Sequence, residues 1–345
     1  HKRPEILKLR FNGVNSPPEC IPEELRKPLA AIFLQHASGA VKRRGKQWVD
    51  FDPLTDPAFN KPYLAGKLQA LIPSLVPADA ESAEEESHYL LGKLTWPEAK
   101  ARFKEVDLAL LPVGSIEQHG PHLPVDTDAF DADYLARQVA IACKDPKPIV
   151  LPAIPYGVSY HHDDFSGTIS ISPDILSRLV YEIGMSAARN GVRKLVIVNG
   201  HGGNSPALHF AAQMINRDAQ IFTCVDTGET SDPDIYGMAE TPNDVHAGEI
   251  ETSTTLAVRP QEVRMDKARK YVPRFSSRYL NFTSKRSVGW YAHTSRISAS
   301  GVMGDPTKAS AEKGRLMWDV MIKNLAEFVE DLMSLSLEEI HQRRY

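Results

Sequence analysis

From Pro97 onward, short apolar runs alternate with segments of helical pattern, and this alternation limits the chain to few folds. Four runs are short enough to predict strands buried on both faces, over residues 107–113, 148–154, 194–198 and 220–225. Helices are predicted over residues 129–143, from Ser172 and Pro173 to Gly191, over 205–218 and over 307–335. The pattern predicts an α/β fold of three layers, with a mostly parallel central sheet between two layers of helices.

Composition excludes several classes of protein. Lys and Arg total 40 against 44 Asp and Glu, so the net charge of -4 lacks the basic excess of a nucleic-acid-binding protein. The apolar runs are far shorter than the roughly 20 residues that cross a bilayer, so no membrane span is expected. The three cysteines, Cys20, Cys143 and Cys224, are widely spaced, which suits reduced thiols. We therefore expect a cytoplasmic protein.

Residues 1–95 differ in composition from the remainder of the chain. They are rich in proline and charge, include an acidic patch at 81–86, and show weak periodicity. We interpret 1–95 as an irregular N-terminal extension that packs on the main domain or on a neighbouring subunit. The main domain is expected to cover 96–345.

Histidines and carboxylates follow the predicted strands, in segments that also contain glycine. The first loop contains Glu117, His119 and Asp128, the loop after the third strand contains His201, and a later segment begins at His246. In an open parallel sheet the loops at the carboxyl ends of the strands meet, so these side chains should converge. Carboxylate and imidazole groups are ligands of divalent metal ions, and the sequence therefore predicts a metal site at this edge.

Together these motifs resemble the creatininase family of metal-dependent amidohydrolases. The motifs are Glu-x-His-Gly-Pro-His-Leu-Pro-x-x-Thr-Asp at 117–128, Gly-x-Ser followed by Phe-x-Gly-Thr within 157–168, Asn-Gly-His-Gly-Gly-Asn at 199–204, and His-Ala-Gly-Glu-x-Glu-Thr-Ser at 246–253. The resemblance implies that Glu117, His119, Asp128 and His201 bind two divalent ions, zinc, manganese or iron, with Asp128 bridging them. It also implies that His246 shuttles protons, and that the protein is a homo-oligomer, with a hexamer as one arrangement.

The chain departs from this family pattern at three places. Creatininase has a carboxylate two residues after the third-loop histidine, where this chain has Gly203, so either Glu249 or Glu251 must complete the second metal site. These two glutamates lie roughly 200° apart around a helix, so only one can face the metals, and we favour Glu251. The tryptophan that precedes the catalytic histidine in creatininase is missing from 240–244, which argues against creatinine as the substrate. The usual Glu-His pair is replaced by His161 and His162.

The expected activity is hydrolysis of a small polar amide or carbonyl compound, with a cyclic amide as the favoured class. Two ions would lower the pKa of a bound water, and the resulting hydroxide would attack the carbonyl while His246 protonates the leaving nitrogen. Ser159 and His162 are the predicted substrate contacts.

Two alternatives stay open. One is a hydrolase or isomerase of a cyclic polyol ketone or diketone with the same two metals. The other is a non-catalytic assembly protein with structural metals. A serine hydrolase is disfavoured, because no helix is expected directly after Ser159.

Overall fold

The computed structural model describes residues 10–11, 14–15, 88–226, 228, 232–282, 288 and 290–341. The first unit, His1–Ser82, contains one described feature, an antiparallel pair of strands, β1 (Arg10–Phe11) and β2 (Val14–Asn15). The second unit is Ala83–Tyr345. Most of the predicted extension therefore lies outside the described residues, and the division at residue 95 stays a prediction.

The second unit contains a parallel sheet of four strands in the order β4-β3-β5-β6, as the alternation of strands and helices predicts. The strands are β3 (Leu108–Val113), β4 (Ile149–Val150), β5 (Lys194–Asn199) and β6 (Phe222–Asp226). Strand β4 is shorter than the predicted run 148–154. Beyond β4, Leu151 N and Ile154 N still donate to Leu110 O and Pro112 O of β3, but the segment advances three residues while β3 advances two, so regular pairing ends at Val150.

Eight α-helices lie within the described residues. They are α1 (Trp96–Glu105), α2 (Thr127–Ala142), α3 (Pro173–Asn190), α4 (Ser205–Ala219), α5 (Asp232–Met238), α6 (Glu249–Val258), α7 (Ala311–Ser334) and α8 (Leu337–His341). Helix α3 has the predicted ends, because the Ser172 side chain accepts a hydrogen bond from Ile175 N and Gly191 adopts φ 113°. Short 3₁₀ turns include Leu91–Lys93, Tyr160–His162, Gly202–Asn204, Pro260–Glu262, Met265–Lys267, Thr294–Arg296 and Pro306–Lys308.

Helices cover both faces of the sheet and bury it. Helix α3 packs against α4, and α7 packs against α2 and α6. All of β3 is buried, which explains why its sequence is apolar at every position instead of alternating. Helices α6 and α7 approach closely at Gly314, where an added Cβ would overlap the carbonyl oxygen of Ser253. This close packing fixes α6, the helix that contains Glu251.

No helix in the described ranges combines the length and the apolar character needed to cross a bilayer.

Candidate metal centre

The loops after β3 and β5 are tied together at the carboxyl edge of the sheet by Asn204. This fully buried side chain donates from Nδ2 to Gly114 O at 3.0 Å and accepts at Oδ1 from Val158 N at 2.8 Å. The bonds join the loops that contain Glu117, Ser159 and His201. The Asn204 amide therefore hydrogen-bonds to two different loops and holds them together at the edge where the sequence predicts convergence.

Asp128 lies at the centre of a cluster of acidic and imidazole groups. Its Oδ1 is 3.0 Å from His119 Nε2, and its Oδ2 is 3.1 Å from His201 Nδ1. Glu117 Oε2 is 3.1 Å from His201 Nε2, and Glu251 Oε2 is 3.7 Å from His119 Nε2. The structure thus brings all five residues predicted as ligands into one cluster, with the two oxygens of Asp128 directed at two different histidines.

Glu249 and Glu251 have different surroundings, although both lie in the first turn of α6. The buried carboxylate of Glu249 accepts hydrogen bonds from Thr241 N at 2.9 Å and Thr241 Oγ1 at 2.6 Å, and from Lys313 Nζ at 2.7 Å. Glu251 instead lies beside His119 and also accepts from Ala247 N. Of the two glutamates, Glu251 is therefore the one next to the cluster.

His246 lies beside His119 of the cluster and contacts Gln118. Its Nε2 is 2.7 Å from Gln118 O, and because a carbonyl only accepts hydrogen bonds, this contact places the proton on Nε2. The Gln118 amide nitrogen lies 2.9 Å from the same atom, but since both nitrogens then carry hydrogen, this contact is not a hydrogen bond. His246 Nδ1 is then unprotonated, 3.7 Å from Glu117 Oε1 and 3.9 Å from Glu251 Oε2. The histidine predicted to shuttle protons thus directs a lone pair towards the carboxylates.

Both predicted substrate contacts are buried against Glu117. Ser159 Oγ donates to Glu117 Oε2 at 2.6 Å and also contacts the Ser115 hydroxyl. His162 Nε2 is 3.3 Å from Glu117 Oε1, and its Nδ1 accepts from the Gln118 amide at 2.8 Å. As placed, both side chains orient the Glu117 carboxylate. Their contact with substrate stays a prediction.

The burial of so many ionisable groups shifts their pKa values in opposite directions. Burial alone would raise the pKa of Glu117, but the charge of His201 and the hydrogen bond from His162 hold it well below its ordinary value. Burial would lower the pKa of His201, but Glu117 and Asp128 raise it to about 9. Burial raises the pKa of Glu251 to about 7, against the opposing effect of His119. The carboxylates and the imidazoles of the cluster therefore stabilise one another's charged forms.

Sequence reasoning missed two residues beside this cluster. Gln118 donates to His162 and fixes the orientation of His246, and its position between two predicted ligands was the available signal. Asp131 lies one helical turn after Asp128, and its buried Oδ1 makes no hydrogen bond within the described part of the chain. Burial, and then the charge of Asp128, raise the pKa of Asp131 to about 8. Its spacing of three residues from Asp128 could have indicated its position.

Comparison with known proteins identifies the family. The sequence profile described as "Creatininase: Creatinine amidohydrolase" matches residues 92–329. The mycofactocin precursor peptide peptidase of Mycobacterium tuberculosis is 38% identical over 223 residues, which are 62% of this chain and 80% of that protein. The 3-dehydro-scyllo-inosose hydrolase of Thermotoga maritima is 30% identical over 262 residues, covering 70% of this chain and 82% of that protein.

Solved structures agree with the sequence comparison. A structure described as "Creatininase Mn" superimposes with a TM-score of 0.63 at 27% identity, covering 72% of this chain and 99% of that one. The matched region contains the parallel sheet, both layers of helices and every residue of the acidic and imidazole cluster. With the four motifs, the fold and the profile in agreement, the chain belongs to the creatininase family of metal-dependent amidohydrolases.

Proposed function

We propose that the protein is a hydrolase that uses two divalent metal ions to cleave the C–N bond of a small polar amide, with a cyclic amide as the favoured class. The observation that carries the proposal is the position of Asp128, whose two oxygens lie 3.0 Å and 3.1 Å from two different histidines. A carboxylate shared in this way offsets the repulsion between two neighbouring cations.

The donor atoms fit metal ions better than they fit one another. His119 Nε2 lies 3.0 Å from Asp128 Oδ1, and Asp128 Oδ2 lies 3.1 Å from His201 Nδ1, but neither His119 Nε2 nor Asp128 Oδ2, both buried, makes a well-aligned hydrogen bond within the described residues. Buried polar atoms are normally hydrogen-bonded, so close contacts with poor hydrogen-bond alignment are better satisfied by a bound cation that these atoms coordinate. A set of carboxylate and imidazole ligands accepts zinc, manganese or iron. Glu117, His119, Asp128, His201 and Glu251 are the proposed ligands.

When bound, the ions would polarise the substrate carbonyl and acidify a water molecule. Side chains of the protein carry out the proton transfers. Burial and the nearby charge of His119 lower the pKa of His246 to about 4, so the imidazole is neutral at neutral pH and Nδ1 carries a lone pair. We infer that His246 takes a proton from the attacking water at Nδ1 and transfers it to the leaving nitrogen. Gln118 O keeps the Nε2 proton in place meanwhile.

Two further substrate classes have specific support. The 38% identity to a mycofactocin precursor peptide peptidase favours a peptide amide as the second candidate. The 30% identity to a 3-dehydro-scyllo-inosose hydrolase supports the cyclic polyol ketone alternative. The same electrophilic site serves all three classes, because each presents a carbonyl that must be polarised and attacked.

Metal analysis combined with a substrate panel tests the proposal. The protein is chelated, its metal content is measured, and zinc, manganese or iron is added back before assays with a cyclic amide, a short peptide and a cyclic polyol diketone. We expect turnover of one class to disappear on chelation and return on addition of metal. Absence of bound metal would reject the dimetal site. Tightly bound metal without turnover would favour a structural role.

A further inference from the structure

A third group of ligand atoms contains Glu117 and His201 but not Glu251. Glu117, His161 and His201 each offer one ligand atom, and these atoms lie within 4.8 Å of one another. The groups formed by His119 contain Asp128, Glu251 and His246, but none of them includes His161. We propose that His161 is a direct metal ligand, completing the site formed by Glu117 and His201. This inference rests on the dimetal function proposed above.

Backbone packing explains how His161 reaches this position. His161 lies in the 3₁₀ turn Tyr160–His162, directly after the segment whose Val158 oxygen faces Gly203. A Cβ added at Gly203 would overlap Val158 O, and it would lie 2.5 Å from His201 Nε2 and 3.0 Å from His161 Cε1. The missing side chain at 203 thus allows two loops to meet, and the imidazole of His161 lies where a side chain from 203 would enter.

The rings of His161 and His201 lie next to each other and to Glu117. The rings of His161 and His201 are parallel within 2°, with centroids 5.5 Å apart, and Glu117 lies within reach of both. His162, by contrast, directs Nδ1 at the Gln118 amide and Nε2 at Glu117. Of the two adjacent histidines, His161 is therefore the one that joins His201 in a candidate ligand group.

An imidazole at this position changes the chemistry of the site. Glu117 and Asp128 bring two negative charges to the ion beside His201, and a neutral imidazole adds a donor atom without adding charge. The ion then keeps one more unit of positive charge than it would with a further carboxylate, so it polarises a carbonyl more strongly. Nitrogen donors also favour zinc or iron over magnesium or calcium.

The test is a titration of the full-length protein with Co²⁺ and with Zn²⁺ alone. Metal content after dialysis is measured together with the visible absorption of the cobalt form. We expect His161→Ala to retain one ion and to lose affinity for the other by about 100-fold or more, because even residues that only support a ligand contribute about 10–100-fold. The matched control is His209→Ala, which removes an exposed imidazole on α4 and should leave both readouts unchanged.

A second variant keeps the inference testable if His161→Ala fails to fold. His161→Glu offers a carboxylate at the same place, so we expect two bound ions and a cobalt spectrum altered by exchange of nitrogen for oxygen. Unchanged affinity and spectrum in His161→Ala, or an unchanged spectrum in His161→Glu, would overturn the role of His161 and leave the dimetal proposal standing. Failure of the unmodified protein to bind any Co²⁺ or Zn²⁺ would instead reject the dimetal proposal itself.

Discussion

Replacing Glu249 and Glu251 separately with glutamine tests which carboxylate of helix α6 binds metal. The substitution keeps the volume of the side chain and removes its charge. We expect Glu251→Gln to lose one ion, with affinity reduced about 100-fold or more, because Glu251 is the glutamate beside His119. We expect Glu249→Gln to keep both ions, because Glu249 is bound to Thr241 and Lys313.

The structure also predicts opposite effects on stability in the presence of chelator. The Glu249 carboxylate is 0% exposed and accepts only from donors, which are Glu240 N, Thr241 N, Thr241 Oγ1 and Lys313 Nζ. A glutamine amide in its place would direct its own N–H groups at some of these donors, and each such contact between two donors replaces a hydrogen bond. Hydrogen bonds to charged groups contribute about 1.5–3 kcal/mol each, so we expect a loss of about 3 kcal/mol. For a domain of this size that loss lowers Tm by about 6–12 °C.

Glu251→Gln should not lower Tm in chelator. Burial raises the pKa of Glu251 to about 7, so above that pH the metal-free native state holds a carboxylate that would be better solvated in the unfolded chain. Removing the charge therefore leaves stability unchanged or increases it. Thermal unfolding at pH 8 with chelator, paired with metal analysis of undialysed and dialysed samples, measures both effects. Loss of an ion from Glu249→Gln with full retention by Glu251→Gln would refute this reading of α6.

The remaining predictions concern the bridging carboxylate, the catalytic histidine, pH and the extension. Asp128→Ala should lose both ions, whereas Asp133→Ala, which removes a half-buried carboxylate paired with Arg137 on the same helix, should keep them; metal content after dialysis decides. His246→Ala should keep both ions while kcat falls by about 10²–10⁴, and loss of an ion would show that it is a ligand instead. Burial raises the pKa of Asp131 from 3.8 to about 8, so the native state binds a proton that the unfolded chain releases. Stability of the metal-free protein should therefore fall as pH rises between these values, and Asp131→Asn should flatten that slope in unfolding measurements. Deleting residues 1–87 should change the number of subunits per particle, calculated from the light-scattering mass, if the extension covers a subunit interface, and an unchanged number would contradict this role.

Much of the fold is predictable from local patterns in the chain. The strand run 107–113 and the ends of α3 follow from apolar character and from capping residues, since both depend on neighbours in sequence. The length of β4 was less predictable. The run 148–154 is apolar throughout, but between the bonds that Leu151 N and Ile154 N donate to β3 the segment advances three residues while β3 advances two, and this mismatch ends the regular pairing.

The candidate site was likewise predictable from the sequence in part. Sequence determined which side chains are available, because metal-binding residue types in loops after parallel strands converge whatever the details of packing. It could not determine that Glu249 binds Lys313, that Gln118 orients His246, or that His161 reaches Glu117. Each of these contacts joins segments distant in sequence, and each depends on distances of a few ångströms set by helix and loop packing. Such distances arise only when the whole chain packs, and so the tertiary structure alone decided them.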